Sequence, residues 1–119
     1  MFDSREAHEI LSAKLNFAGT QKQTEYISIF KNKNGRELAL ERNRSEAFYI
    51  WLEKYQTTID DVTIKNQENP GKPYSYKQSR NSNLNDKNSP HLKVGNKVWY
   101  LEIKSREALI KLADWYMDI

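Results

Sequence analysis

The residue types best suited to chemistry are concentrated in residues 72–83, where cations, tyrosines and amide side chains alternate. Lysine and arginine bind phosphates with release of counterions, which gives an affinity that does not depend on base sequence. Asparagine can pair with the edge of adenine, and tyrosine rings can stack on exposed bases. The pattern therefore predicts a nucleic acid as the partner, with DNA ranked above RNA. The predicted contact residues are Lys72, Tyr74, Tyr76, Lys77, Arg80, Asn81, Asn83, Lys87 and Lys93.

The uneven placement of charge indicates the same part of the chain. Residues 65–93, called the basic segment below, hold six lysines and arginines against two acids, a net charge of +4. The whole chain carries +3, so the remaining residues sum to −1. A local excess of positive charge favours contact with a polyanion. The competing interpretation is a solvated loop whose charges serve only solubility.

A protein partner is the alternative interpretation. Trp99 and Tyr100 are neighbours on a predicted strand and must point to opposite faces of its sheet. One of them either is covered by the long segment or anchors a partner. Aromatic residues with a basic rim suit a protein interface as well as a nucleic acid. A phage- or plasmid-type inhibitor or adaptor would have this size, and an enzyme that acts on nucleic acids is one such target.

A weaker alternative is a magnesium-dependent nuclease. Glu102-Ile103-Lys104 resembles the metal-binding half of the PD-(D/E)xK nuclease pattern, in which carboxylates bind Mg²⁺ and a lysine helps to activate water. Asp60 or Asp61 would supply the second carboxylate, although no proline precedes either one. The two histidines, His8 and His91, lie far apart in the sequence. The sequence therefore predicts no catalytic residue, no metal site and no cofactor, and the protein is not expected to be an enzyme.

Composition predicts one small domain over residues 1–119, with a long irregular stretch at 65–91. Three Trp, seven Tyr and four Phe provide enough large side chains for a core, although the mean hydropathy is only −0.89. The chain has no cysteine, which excludes disulfides and thiolate metal sites. No stretch is long and apolar enough to span a bilayer, so a cytoplasmic protein without membrane contact is expected. The oligomeric state is left open.

Three helices are predicted to position these groups. The first covers residues 4–15 after a cap at Asp3 or Ser4, and the last follows a cap at Ser105. The middle helix, over residues 44–56, starts from Asn43 with Glu46 three residues later, a spacing typical of a capping box. Its apolar face consists of Phe48, Trp51, Leu52 and Tyr55.

The strands are predicted as two hairpins and one short strand. Asn34-Gly35 joins residues 26–30 to 37–41, and Gly95-Asn96 joins residues 92–94 to 97–103. Residues 62–64 form the short strand, whereas residues 65–90 show no apolar periodicity and contain all three prolines. The sequence thus predicts an α+β fold: a small, mostly antiparallel sheet of about five strands with three helices packed mainly on one face.

Overall fold

The computed structural model describes residues 3–17, 27–42, 44–65, 84, 89–93 and 95–119. Within these residues the fold is α+β, with two helices and one sheet of six strands. In chain order the elements are α1 (Ser4–Lys14), β1 (Asn16–Phe17), β2 (Ile27–Lys31), β3 (Glu37–Glu41), β4 (Phe48–Leu52), β5 (Val62–Ile64), β6 (Trp99–Ile103) and α2 (Arg106–Tyr116). The spatial order is β1-β2-β3-β4-β6-β5, and every neighbouring pair is antiparallel.

Helices α1 and α2 begin where the sequence predicts. The Asp3 side chain accepts a hydrogen bond from the Arg5 amide at 2.9 Å, and Ser105 Oγ accepts one from the Ala108 amide at 3.0 Å. Each cap satisfies an amide that has no carbonyl partner within the first turn of its helix. Both helices pack against the same face of the sheet, which is called the helix face below.

The predicted helix over residues 44–56 is wrong, and the described part of the chain has two helices rather than three. Phe48–Leu52 is strand β4, which lies between β3 and β6, and all five of its residues are buried. Because both faces of this strand are covered, apolar side chains occupy every position, and such a run also satisfies helical spacing. Glu46, expected in a capping box, accepts a hydrogen bond from the Ser45 amide instead, at 3.0 Å.

The first predicted hairpin is confirmed as β2 and β3, with Ile29 opposite Ala39. Asn32 Oδ1 accepts hydrogen bonds from the amides of Asn34 and Arg36, both at 2.9 Å. Gly35 has a φ of 82°, a left-handed conformation that glycine adopts without steric cost. The Asn32 amide donates to the Arg36 carbonyl at 3.0 Å, which leaves Lys33, Asn34 and Gly35 as a three-residue loop. Such a loop with a left-handed glycine at its end is a common hairpin connection.

The second predicted hairpin is wrong. Strand β6 pairs with β4 and β5, and the described residues before it form turns. The Leu92 amide donates to the Ser89 carbonyl at 2.9 Å, and the Asn96 amide donates to the Lys93 carbonyl at 3.1 Å. Leu92 is fully buried, so this part of the chain turns into the core instead of extending along β6.

The sheet is covered on both of its faces. As the sequence predicts, β6 alternates: Trp99, Leu101 and Ile103 belong to the cluster under the helices, whereas Tyr100 belongs to a second cluster. The opposite side of the sheet, called the second face below, carries that smaller cluster. Its buried members are Ile27, Ile29, Ala39, Trp51, Leu84, Leu92 and Val98. Neither helix of the described chain has the length and apolar character needed to cross a bilayer.

Candidate functional site

Most of the predicted contact residues lie outside the described residues. These are Lys72, Tyr74, Tyr76, Lys77, Arg80, Asn81, Asn83 and Lys87. Lys93 is described, and it is half-buried in the turn that precedes β6. The structure therefore shows how the basic segment is attached to the rest of the protein, which is called the body below.

The basic segment is attached to the body at its start, within its second half and near its end. At the start, the Lys65 amide donates to the Tyr100 carbonyl of β6 at 2.7 Å. Leu84 is only 3% exposed and packs into the second-face cluster. Leu92 packs into the same cluster. Sequence reasoning missed Leu84, because an isolated apolar residue in a polar stretch has no periodicity to reveal it, and it placed Leu92 in a strand instead of a buried turn.

Two carboxylates hold the turn at His91. The His91 amide donates to Glu37 Oε1 at 2.8 Å, and His91 Nδ1 lies 2.9 Å from Glu53 Oε2. Glu53 Oε2 also accepts a hydrogen bond from the Glu37 amide at 2.6 Å. Glu37, Glu53 and His91 are called the carboxylate latch below. Its bonds to carboxylates belong to the stronger class of protein hydrogen bonds, so the latch fixes the end of the basic segment to β3 and the end of β4.

Glu37 is the most unusual member of the latch. Its side chain is fully buried, and its Oε2 has no hydrogen-bond partner in the described structure. Burial raises the pKa of the Glu37 carboxyl above its ordinary value. No sequence pattern pairs His91 with Glu37, because they are 54 positions apart and only the fold brings them together.

On the second face, β4 and β6 also carry polar and aromatic side chains that contact one another. The rings of Trp51 and Tyr100 stack with centroids 4.0 Å apart, and Arg44 lies over the Tyr49 ring at 3.7 Å. Glu41 accepts hydrogen bonds from Trp51 Nε1 and from the Tyr100 hydroxyl, each at 2.9 Å. Burial, followed by the Glu41 carboxylate, raises the pKa of Tyr100. Tyr100 is thus engaged within the fold, and these contacts do not support its role as an anchor for a partner.

The E-x-K motif lies at the far end of β6. Glu102 Oε2 accepts a hydrogen bond from the Tyr49 hydroxyl at 2.7 Å, and its Oε1 lies 3.9 Å from Lys104 Nζ. The Lys104 amide donates to the Asp61 carbonyl at 2.9 Å, so β5 brings the backbone of Asp61 beside the motif. Within the described ranges, no group of three histidine, aspartate or glutamate side chains could hold a metal ion. The nuclease interpretation stays a prediction.

Three aromatic side chains meet on the helix face, at the end of the sheet where β6 begins. The Tyr55 ring lies 6.5 Å from the Trp99 ring and 6.0 Å from the Trp115 ring, centroid to centroid. Both contacts are edge-to-face, with interplanar angles of 62° and 77°. Tyr55 is buried, whereas Trp99 and Trp115 are half-buried. These residues are called the aromatic triad below.

Many cations of the body are paired with acids. Ion pairs join Lys14 to Asp114, Lys33 to Asp118, Arg36 to Glu53, Arg44 to Glu41 and Arg106 to Glu6. Lys31, Lys54, Lys97 and Lys111 form no ion pair with another residue that the structure describes. Lys54, Lys97 and Lys111 are each close in sequence to one member of the aromatic triad.

Comparison with protein-family models, curated proteins and solved structures finds no match for this chain. The function is therefore inferred from its own charges and contacts.

Proposed function

We propose that the protein binds a nucleic acid, with DNA favoured over RNA, through the basic segment. The observation that carries this proposal is the distribution of charge: +4 in residues 65–93 and −1 in the rest of the chain. A phosphate backbone attracts such a segment whatever its base sequence. Because the rest of the chain sums to −1, the basic segment is the source of the net positive charge.

The attachment of the basic segment supports the proposal. Leu84 is buried in the second face, and Arg80 and Lys87 are four and three residues away from it along the chain. An extended chain spans at most about 3.5 Å per residue, so the Cα atoms of these two residues can lie no farther than roughly 15 Å from that of Leu84. Restricting the segment in the free protein reduces the conformational entropy that binding would otherwise remove.

The test is a titration of the protein with single-stranded DNA, duplex DNA and RNA of equal length at two salt concentrations. We expect the affinity to fall steeply with salt, by close to one logarithmic unit per tenfold change in salt for each phosphate contacted. Affinity that does not change with salt would contradict the proposal. Capture of one specific protein, with no binding to any polymer at low salt, would favour the inhibitor or adaptor instead.

A matched pair of variants separates the basic segment from general charge. Lys77→Ala with Arg80→Ala removes two cations from the segment, and Arg5→Ala with Lys33→Ala removes two exposed cations from the body. The first pair should weaken binding. It should also reduce the slope of log affinity against log salt concentration by about one to two. The second pair should leave both nearly unchanged. Equal losses from the two pairs would mean that the segment is not the binding site.

A further inference from the structure

The two ends of the basic segment and the aromatic triad meet at one end of the sheet. The segment leaves β5 at Lys65, whose amide bonds to the carbonyl of Tyr100, and the chain re-enters the sheet at Trp99. Strand β4 ends here too, because Leu52 lies opposite Trp99. Tyr55 follows Leu52 by three residues. The aromatic triad, on the helix face, therefore lies at the same end of the sheet as Lys65 and the carboxylate latch, which hold the two ends of the basic segment. The buried leucines of the segment pack on the second face.

We propose that the aromatic triad is a stacking surface for unpaired bases, so that single strands are the form of nucleic acid this protein prefers. The inference rests on the proposed function, because the basic segment supplies the phosphate contacts. Aromatic side chains stack on any base and give little sequence preference. In a duplex the base faces are already stacked on each other, so only a single strand offers them to Trp99 and Trp115.

The charges around the triad fit a polyanion. Lys54 precedes Tyr55, Lys97 is two residues before Trp99, and Lys111 lies one helical turn before Trp115 on α2. None of the three lysines has an ion-pair partner among the residues that the structure describes. Their charges are thus not neutralised by a described acid, and lysines bind phosphates.

Two acids that adjoin these residues in sequence are already paired with cations. Glu53, beside Lys54, lies 3.6 Å from Arg36 Nη1, and Asp114, beside Trp115, lies 2.8 Å from Lys14 Nζ. Local repulsion of a phosphate is therefore reduced.

The two tryptophans of the triad are more exposed than Trp51, the third tryptophan of the chain. Trp99 and Trp115 are half-buried, whereas Trp51 is 3% exposed and its indole is stacked and hydrogen-bonded. A tryptophan that serves packing alone is expected to resemble Trp51. Trp99 and Trp115 thus keep part of their surface exposed.

The experiment compares oligothymidine, oligouridine and a duplex of equal length as ligands for the full chain. Trp115→Leu removes the ring but keeps apolar volume, and Trp115→Phe keeps an aromatic ring. We expect Trp115→Leu to weaken binding of the single strands about tenfold and to change duplex binding less than twofold. Trp115→Phe should stay within about threefold of the wild type. Urea unfolding of each variant checks that it is folded, and the first two ligands distinguish DNA from RNA.

An abasic oligonucleotide tests the same inference without any change to the protein. Replacing the bases at the bound positions by abasic sites keeps the phosphates and should weaken binding to the wild type about tenfold. Equal affinity for the abasic and the normal strand would overturn the stacking surface while leaving the proposed function intact. Failure of every polymer to bind at low salt would overturn the proposed function itself.

Discussion

The indole of Trp51 and the phenol of Tyr100 stack across β4 and β6, with ring centroids 4.0 Å apart, and both donate to the carboxylate of Glu41. The two rings lie opposite each other in the register of the sheet. Arg44 Nη1 donates to the same carboxylate at 3.0 Å. One acid from β3 thus joins two further strands and the chain before β4, which predicts a large effect when it is removed.

Truncation of Glu41 should destabilise the protein. Glu41→Ala removes the acceptor shared by Trp51, Tyr100 and Arg44, and the expected loss in the free energy of unfolding is about 2–3 kcal/mol. Glu46→Ala is the control, because the Glu46 side chain is 60% exposed and its ion pair with Arg44 is at the surface. Urea unfolding followed by circular dichroism measures both. A similar, small loss in the two variants would show that the Glu41 hydrogen bonds add little stability.

The buried carboxyl of Glu37 should give stability an unusual dependence on pH. Burial raises the pKa of Glu37 above its ordinary value of 4.5, so the folded protein binds this proton more tightly than the unfolded chain does. The contribution of Glu37 to the free energy of unfolding therefore falls as the pH rises above 4.5 through the raised pKa. Glu37→Gln keeps an oxygen that can accept from the His91 amide but does not titrate.

The free energies of unfolding of the wild type and of Glu37→Gln should accordingly diverge as the pH rises. Urea unfolding from pH 4 to 8 is expected to show the variant gaining stability relative to the wild type as the pH rises. Glu46→Gln should show the opposite trend, confined to pH values near and below 4.5, because hydrogen bonds from the amides of Glu46 itself and Ser45 lower the pKa of Glu46. Parallel profiles for wild type and Glu37→Gln would contradict the assignment of a raised pKa to Glu37.

Local signals in the sequence predicted the elements whose ends depend on local chemistry. Asp3 and Ser105 cap helices because their side chains bond to amides two or three residues away. Gly35 marks the first hairpin because it adopts a positive φ. In each case the interacting atoms are close in sequence, so the residue types alone contain the information.

The features that the sequence did not predict depend on contacts between distant residues. Strand β4 is apolar at every position because it is central and covered on both faces, and this hides the alternation that identifies an exposed strand. The carboxylate latch joins His91 to Glu37 and Glu53 across 54 and 38 residues. The aromatic triad likewise joins residues that follow β4, begin β6 and end α2. No spacing rule relates such positions before the strand order is known.

The anchoring of the basic segment at Leu84 provides the last prediction. Leu84 is 3% exposed and packs with Trp51 and Leu92 in the second-face cluster. Leu84→Ala should lower the free energy of unfolding by about 2–4 kcal/mol, the range for truncation of a buried leucine. It should also weaken nucleic-acid binding under conditions in which the variant is folded. Release of this anchor removes one of the points that hold the segment to the body, and so raises the conformational entropy that binding must remove.

Ile10→Ala is the control that separates these two effects. Ile10 is half-buried against the cluster on the helix face, far in sequence from the basic segment. Its truncation should cost stability, by about 1–2 kcal/mol, and leave the affinity for nucleic acid unchanged. The affinities are compared by titration at low salt and at a temperature at which urea unfolding shows both variants to be folded. If folded Leu84→Ala binds as tightly as the wild type, the body does not position the cations, and the affinity comes from the charge of the segment alone.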